Sequence, residues 1–260
     1  MGIKALIIKA RGTNRDFDAA DALKLAGAES DIVPLNLLRS GEKKWQDYQM
    51  LIVPGGFSYA DALGAGKLLA LDMTSYFSEE VKRFVESGKP VLGICNGFQA
   101  LVKSGILPGF KTEAGTAAAT LSFNKSGHFE CRWVHLLPVS QMCVWTRGIE
   151  QVITCPVAHG EGNFIPADSK AAYMLRENDQ IAFVYAGADG LPARGKYPLN
   201  PNGSAMDVAG ICNPQGNVLG LMPHPENHIF PQQHPRWTRG DKNGSGLGLF
   251  LNGVRYAGEL

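Results

Sequence analysis

Two short stretches carry the chemistry of this sequence. In the first, the apolar pair Val91-Leu92 leads into Gly93-Ile94-Cys95-Asn96-Gly97-Phe98-Gln99, a cysteine with a glycine two positions away on each side. This is the thiol version of a nucleophile elbow, in which a tight strand-to-helix turn lifts the nucleophile above the sheet and glycines stand where a side chain would clash. A thiol reacts as its thiolate, which a helix N-terminus and a neighbouring imidazole both favour. If residues 96–104 are helical, Cys95 stands at such an N-terminus, and the backbone N–H of Asn96 points at the reacting carbonyl as half of an oxyanion hole. Gly55-Gly56, after the apolar run Met50-Leu51-Ile52-Val53, is the natural source of the other half. A single cysteine is more often a small buried hydrophobe; here the two flanking glycines weigh for a nucleophile.

The second stretch follows the apolar run Val218-Leu219-Gly220-Leu221-Met222 and reads Pro223-His224-Pro225-Glu226. Each proline fixes its own φ and pushes the residue before it towards extended backbone. In an extended segment residues two apart face the same way, so Glu226 is placed to orient and charge-stabilise the imidazole of His224. Cys95, His224 and Glu226 are thus the expected nucleophile, base and orienting acid. His228 and His234 follow closely and open a metal reading through His224, Glu226 and His228. The chain carries neither H-E-x-x-H nor C-x-x-C, and no metal is expected.

The elements that must position these residues are legible in the first 110 positions. Residues 4–10 read as an apolar strand, and residues 17–26 as a helix with Ala19, Leu23 and Ala26 at helical spacing and Gly27 as its stop. Strands are expected over 31–35, 50–53 and 91–94, and helices over 62–71 and 79–86, with Gly88-Lys89-Pro90 a sharp stop before the elbow. Short, wholly apolar strands alternating with helices predict a parallel sheet covered on both faces. Ligands then belong at the strand C-termini, where Gly55-Gly56 and Cys95 lie. Beyond residue 110 the pattern changes. Strands are expected over 120–123, 128–137, 153–158, 181–185 and 205–211, and the turn Asn213-Pro214-Gln215-Gly216-Asn217 predicts an antiparallel hairpin into 218–222. Residues 140–152 and 165–180 carry no functional motif. Residues 229–246 are polar and rich in Pro, Gly and Trp, and 247–256 could dock as a closing helix.

Composition narrows the partners. The 260 residues suit one large α/β domain, 1–260, and 25 Lys plus Arg against 24 Asp plus Glu give no electrostatic case for nucleic acid or an anionic membrane. No apolar run approaches a membrane span, and Met1-Gly2-Ile3-Lys4 enters a strand pattern directly, so a cytoplasmic protein is expected. The five cysteines, odd in number and widely spaced, fit reduced thiols. Gly64-Ala65-Gly66-Lys67-Leu68 looks like a fragment of a phosphate loop, but Asp61 stands where the first glycine is needed and Leu68 replaces the Ser or Thr. Acyl chemistry at a thiol is expected, and use of ATP is not.

Cys95 in its glycine frame, together with His224-Pro225-Glu226, resembles the class I (triad) glutamine amidotransferases. Within that family, Pro54-Gly55-Gly56-Phe57-Ser58-Tyr59-Ala60-Asp61, His159-Gly160-Glu161-Gly162, Asn200-Pro201-Asn202-Gly203-Ser204 and Met222-Pro223-His224-Pro225-Glu226 resemble the glutaminase subunits of phosphoribosylformylglycinamidine synthases. The likeness runs from about residue 4 to the C-terminus. It implies a flavodoxin-like α/β fold, with a mostly parallel central sheet, helices on both faces and an added antiparallel portion. It also implies that Cys95 attacks the side-chain amide of L-glutamine, that Gly56 and Asn96 bind the oxyanion, and that Gln99, His159 and Gly160 lie near the glutamine pocket. Ammonia would pass to a separate synthetase subunit, with or without a small third subunit. ATP and Mg²⁺ would belong to that partner, and no cofactor to this chain. The pattern departs from the family at Asn227 and His128, where relatives often carry Arg, and these positions bear on the synthetase interface. On the residues alone two other readings stay open: a stand-alone cysteine amidase or peptidase, and a thiol-based sensor in which Cys95 is an oxidisable group.

Overall fold

A computed structural model describes residues 2–240 and 245–260; Met1 and residues 241–244, the latter inside the polar segment 229–246, lie outside the described residues. The N-terminal half alternates strand and helix: β1 (Lys4–Lys9), α1 (Asp16–Leu25), β2 (Glu29–Pro34), α2 (Leu35–Arg39), β3 (Met50–Val53), α3 (Lys67–Ser75), α4 (Ser78–Glu86), β4 (Val91–Ile94) and α5 (Asn96–Lys103). The rest adds β5 (Ala119–Ser122), β6 (Glu130–Pro138), β7 (Ile153–His159), β8 (Asn163–Pro166), α6 (Ser169–Glu177), β9 (Ile181–Ala186), β10 (Val208–Cys212), β11 (Val218–Leu221) and α7 (Leu247–Glu259).

Nine strands form one sheet in the order β2-β1-β3-β4-β11-β10-β9-β6-β7. From β2 to β11 neighbours run parallel, with the flavodoxin-like order 2-1-3-4 followed by β11. Every residue of β3, β4 and β11 is buried, which is why these strands read as unbroken apolar runs rather than alternating ones. From β10 outward the pairing is antiparallel, as the Asn213–Asn217 turn predicts for β10 and β11. β5 and β8 make a separate antiparallel pair. α1 packs against α7, and α3 against α4 and α5, so helices flank the sheet in two groups.

Two expectations shift, and a segment with no predicted element takes one. The helix predicted over 62–71 is α3, beginning only at Lys67, because Tyr59, Ala60, Asp61, Leu63, Gly64 and Gly66 all take positive φ and no helix can run through them. The strand predicted over 205–211 begins at Val208, since Met206 and Asp207 are left-handed and Asp207 spends its carboxylate on the Arg194 and Gly195 amides and the Asn200 carboxamide. Residues 165–180 hold α6, started by Asp168, whose side chain accepts from the Ala171 N–H at 2.7 Å.

Candidate active site

Three adjacent parallel strands end side by side, with Val53 opposite Gly93 and Ile94 opposite Leu221. The loop after β3 carries Gly55-Gly56, the turn after β4 carries Cys95, and the segment after β11 carries His224. The sheet order, which brings residue 224 beside residue 95, assembles the site.

Cys95 sits between β4 and α5 with φ 49° and ψ −104°, a conformation that costs a non-glycine residue about 1–3 kcal/mol. Its N–H donates to the Leu221 carbonyl at 2.8 Å and its carbonyl accepts from Gln99 N at 3.0 Å. The glycine frame answers close approach. A Cβ on Gly97 would overlap the Val53 carbonyl, and one on Gly93 would lie 3.0 Å from the Gly97 carbonyl carbon, so α5 can start against the sheet only with both side chains absent. Cys95 Sγ is 3.8 Å from the Ala158 carbonyl on β7.

His224 is fully enclosed. Its backbone N–H donates to the Pro156 carbonyl at 2.8 Å, and its Nδ1 is 2.6 Å from Glu226 Oε1. Glu226 has no exposed surface, and among the described residues its Oε2 has no hydrogen-bond partner. Burial alone would push the imidazole down, but the Glu226 carboxylate, the charge on Cys95 and hydrogen bonds to both push it up to about 10. The reason for the His–Glu contact differs from the extended-segment expectation. His224 has ψ 81° and Pro225–Asn227 is a single 3₁₀ turn, which curls the carboxylate back onto Nδ1.

Gly55 and Gly56 lie where the sequence places them. A Cβ on Gly55 would come 2.8 Å from His224 Cε1, so the imidazole rests directly on the loop backbone, and Gly56 has φ 136°. The loop between β1 and α1 clamps this segment: Phe57 N–H donates to the Gly12 carbonyl at 3.0 Å, Arg15 N–H to that of Gly55 at 3.3 Å, and Tyr59 N–H to that of Arg11 at 2.6 Å. Residues 11–15 carry no motif of their own. Their position after a parallel strand next to β3 was the available signal.

The remaining candidates act on the loop after β7. Gln99 is buried, and its Nε2 donates to the Glu161 carbonyl at 2.6 Å, tying α5 to that loop. His159 is pushed down to about 3 by burial and then by the charge of His224, which keeps it neutral beside the triad. Its Nδ1 is 3.1 Å from Asn124 Oδ1, which also accepts from Gly162 N–H, while the Gly160 carbonyl accepts from Asn124 N at 2.8 Å. The Asn200–Ser204 segment props up the same loop: the Ser204 hydroxyl donates to Asn202 Oδ1 and accepts from Phe164 N–H. His228 turns Nδ1 to the Thr154 carbonyl and packs its ring on Trp133, with centroids 5.2 Å apart. No group of three His, Cys, Asp or Glu side chains among the described residues could hold a metal ion.

A strained cysteine elbow, a His–Glu pair just after the neighbouring parallel strand and a glycine loop beside both have the arrangement of a triad-type thiol hydrolase on a flavodoxin-like sheet. Residues 2–257 match the CobB/CobQ-like glutamine amidotransferase domain, and the chain belongs to that family. It is 52% identical to phosphoribosylformylglycinamidine synthase subunit PurQ of Treponema denticola, over 97% of this chain and 98% of the relative, and 40% identical to that of Methanococcus maripaludis, over 97% of each. Its fold superposes on a chain of the PurLQS structure from Thermotoga maritima with a TM-score of 0.74 and 30% identity, covering 98% of this chain and 99% of that one.

Proposed function

We propose that this chain hydrolyses glutamine to glutamate and ammonia and delivers the ammonia to an ATP-dependent synthetase subunit, which makes formylglycinamidine ribonucleotide in purine biosynthesis. The observation that carries the reading is the meeting of Cys95, strained at its elbow, with the buried His224–Glu226 pair in a chain 52% identical to a PurQ subunit.

The chemistry follows from the residues. The Cys95 thiolate attacks the side-chain amide carbon of glutamine, and the carbonyl oxygen becomes an oxyanion held by the N–H groups of Gly56 and Asn96. His224, a cation kept so by Glu226, gives its Nε2 proton to the departing ammonia and leaves a γ-glutamyl thioester. The neutral imidazole then takes a proton from water, whose oxygen attacks the thioester and frees glutamate and Cys95. Glu226 holds Nδ1–H throughout, so Nε2 always faces the reaction. Gln99, His159 and Gly160 shape the wall on which glutamine rests.

In this reading residues 1–260 are one glutaminase domain that needs no cofactor, with ATP and Mg²⁺ belonging to the synthetase. No helix among the described residues is long and apolar enough to cross a membrane, and we place the protein in the cytoplasm on the strength of its pathway. Glutamate release from glutamine, measured with and without the synthetase and compared with asparagine and a peptide amide, tests the reading. Hydrolysis of the other amides at the glutamine rate would point to a stand-alone amidase.

A further inference from the structure

The Asn96 carboxamide is buried and bonded at both ends. Its oxygen accepts from the Ser58 N–H at 3.2 Å and from the Ser58 hydroxyl at 2.5 Å, and its nitrogen donates to Asp61 Oδ1 at 2.9 Å and Gln99 Oε1 at 3.1 Å. Ser58 and Asp61 belong to the loop that begins at Gly55-Gly56. In that loop Tyr59, Ala60 and Asp61 take φ of 55°, 54° and 51° in succession. Left-handed backbone is unfavourable for non-glycine residues, so three in a row persist only where the surroundings hold them. The β1–α1 loop grips the near side of this loop, and the Tyr59 hydroxyl is tied to Asp72 on α3. The tie to the nucleophile itself is Asn96.

We propose that Asn96 is a positioning residue for both halves of the oxyanion hole, its own backbone N–H supplying one donor and its carboxamide fixing the loop that supplies the other at Gly56. The inference rests on the thioester mechanism above. Ser58 lies two residues from Gly56, so a bond that pins Ser58 to the first residue of α5 sets the distance between the two donors and the thiol. A misplacement of about 1 Å in such a constellation costs on the order of 100-fold in rate. The carboxamide is the side chain that serves: it needs an acceptor for Ser58 and a donor for Asp61. A carboxylate at position 96 would keep the acceptor and face Asp61 as a like charge, in surroundings where Glu161 and Lys103 also act on Asp61.

The test compares the wild-type chain, Asn96→Asp, and Asn96→Asp combined with Asp61→Asn, each assayed with the synthetase. The single substitution is expected to lower kcat for glutamine by about 100-fold while KM changes little, because oxyanion binding is realised only in the transition state. The added Asp61→Asn returns a donor facing an acceptor with the polarity reversed, and should recover at least about tenfold of that loss if the pairing is what matters. An Asn96→Asp chain that keeps the wild-type kcat, or a loss that the second substitution leaves untouched, overturns the proposal. If Asn96→Asp does not fold, Ser58→Ala decides: a lower kcat at constant KM supports the pin, and an unchanged kcat refutes it. Cys95→Ala run alongside separates the two levels: glutamine turnover without Cys95 would sink the thioester mechanism on which the proposal rests, and no glutamine turnover by the wild-type chain with the synthetase would sink the glutaminase reading itself.

Discussion

Cys95 and His224 lie buried against each other, and the charge on the imidazole depends on what faces it. Of the five cysteines, Cys131 is exposed, and Cys143, Cys155 and Cys212 are buried outside the elbow turn; Cys155 lies beside the His224–Glu226 pair, where burial and then the Glu226 charge push its thiol well up. A glutamine-mimicking diazoketone should therefore label Cys95 alone, and Cys95→Ala should abolish hydrolysis while the chain stays folded. Peptide mapping that finds the label on another cysteine would break the assignment. His224→Ala is expected to lose nearly as much activity as Cys95→Ala, because nucleophile and base act as a unit, and Glu226→Gln to lose less. The pH dependence has a definite sign. His224 is pushed from an ordinary 6.5 up to about 10, so its ionic pairing stabilises the fold in full below about 6.5 and is lost as pH rises towards 10. Thermal midpoints taken between pH 7 and 10 should fall more steeply for wild type than for Glu226→Gln, which lacks the carboxylate that raises the imidazole. Parallel curves would mean that Glu226 does not hold the charge.

At the scale of elements, the glycine frame of the elbow is a packing requirement. Gly97→Ala would drive a methyl group into the Val53 carbonyl at the end of β3 and lift the first turn of α5 off the sheet. A loss of about 1–3 kcal/mol in urea unfolding is expected, with a fall in kcat because the Asn96 N–H moves with the turn. Wild-type stability in Gly97→Ala would show that α5 has room to spare. The same local physics explains what was legible in advance. β3 and β4 occupy the predicted residues, because strands buried on both faces leave a continuous apolar signature; Cys95 stands in the motif that ends β4, and His224 and Glu226 in the one that follows β11. Only residues 62–66, the end of the loop between β3 and α3, depart from the helix expected over 62–71: Leu63, Gly64 and Gly66 take positive φ there, continuing the left-handed run of Tyr59–Asp61 that tertiary bonds from Asn96, Asp72 and the β1–α1 loop hold. Those bonds have no local sequence signal. The resemblance singles out Gln99, but its partner has no local signal, since the Glu161 carbonyl that it binds lies 62 positions away. α6, by contrast, had a readable start in Asp168 with Ala171 and Leu175 at helical spacing.

Across the whole molecule, the antiparallel strands β10, β9, β6 and β7 extend the sheet on the side of the triad, and β7 covers it, supplying the carbonyls of Pro156 and Ala158 to His224 and Cys95. On the other side the oxyanion loop has an apolar rim. Phe57 and Leu63 are 47% and 75% exposed, and Leu63, Leu71 and Phe123 line a cavity of about 750 Å³ that also reaches Lys103 and Glu161. Apolar side chains gathered beside a strained loop are suited to burial under a partner. If this strained loop also has a relaxed conformation, a partner that covers the rim can bias the choice between the two. The isolated chain is therefore expected to be a poor glutaminase, protecting glutamine from wasteful hydrolysis, and to become a good one with its synthetase, formylglycinamide ribonucleotide and a nucleotide. Moving a loop from about 1% to 99% competent requires a preference of about 5.5 kcal/mol, within the reach of a large interface. Because the population of competent enzyme changes, steady-state assays should show kcat for glutamine rising far more than KM falls. Full activity of the chain alone, unaltered by the synthetase, would mean that the oxyanion loop is already set, and that the apolar rim serves some purpose other than switching it.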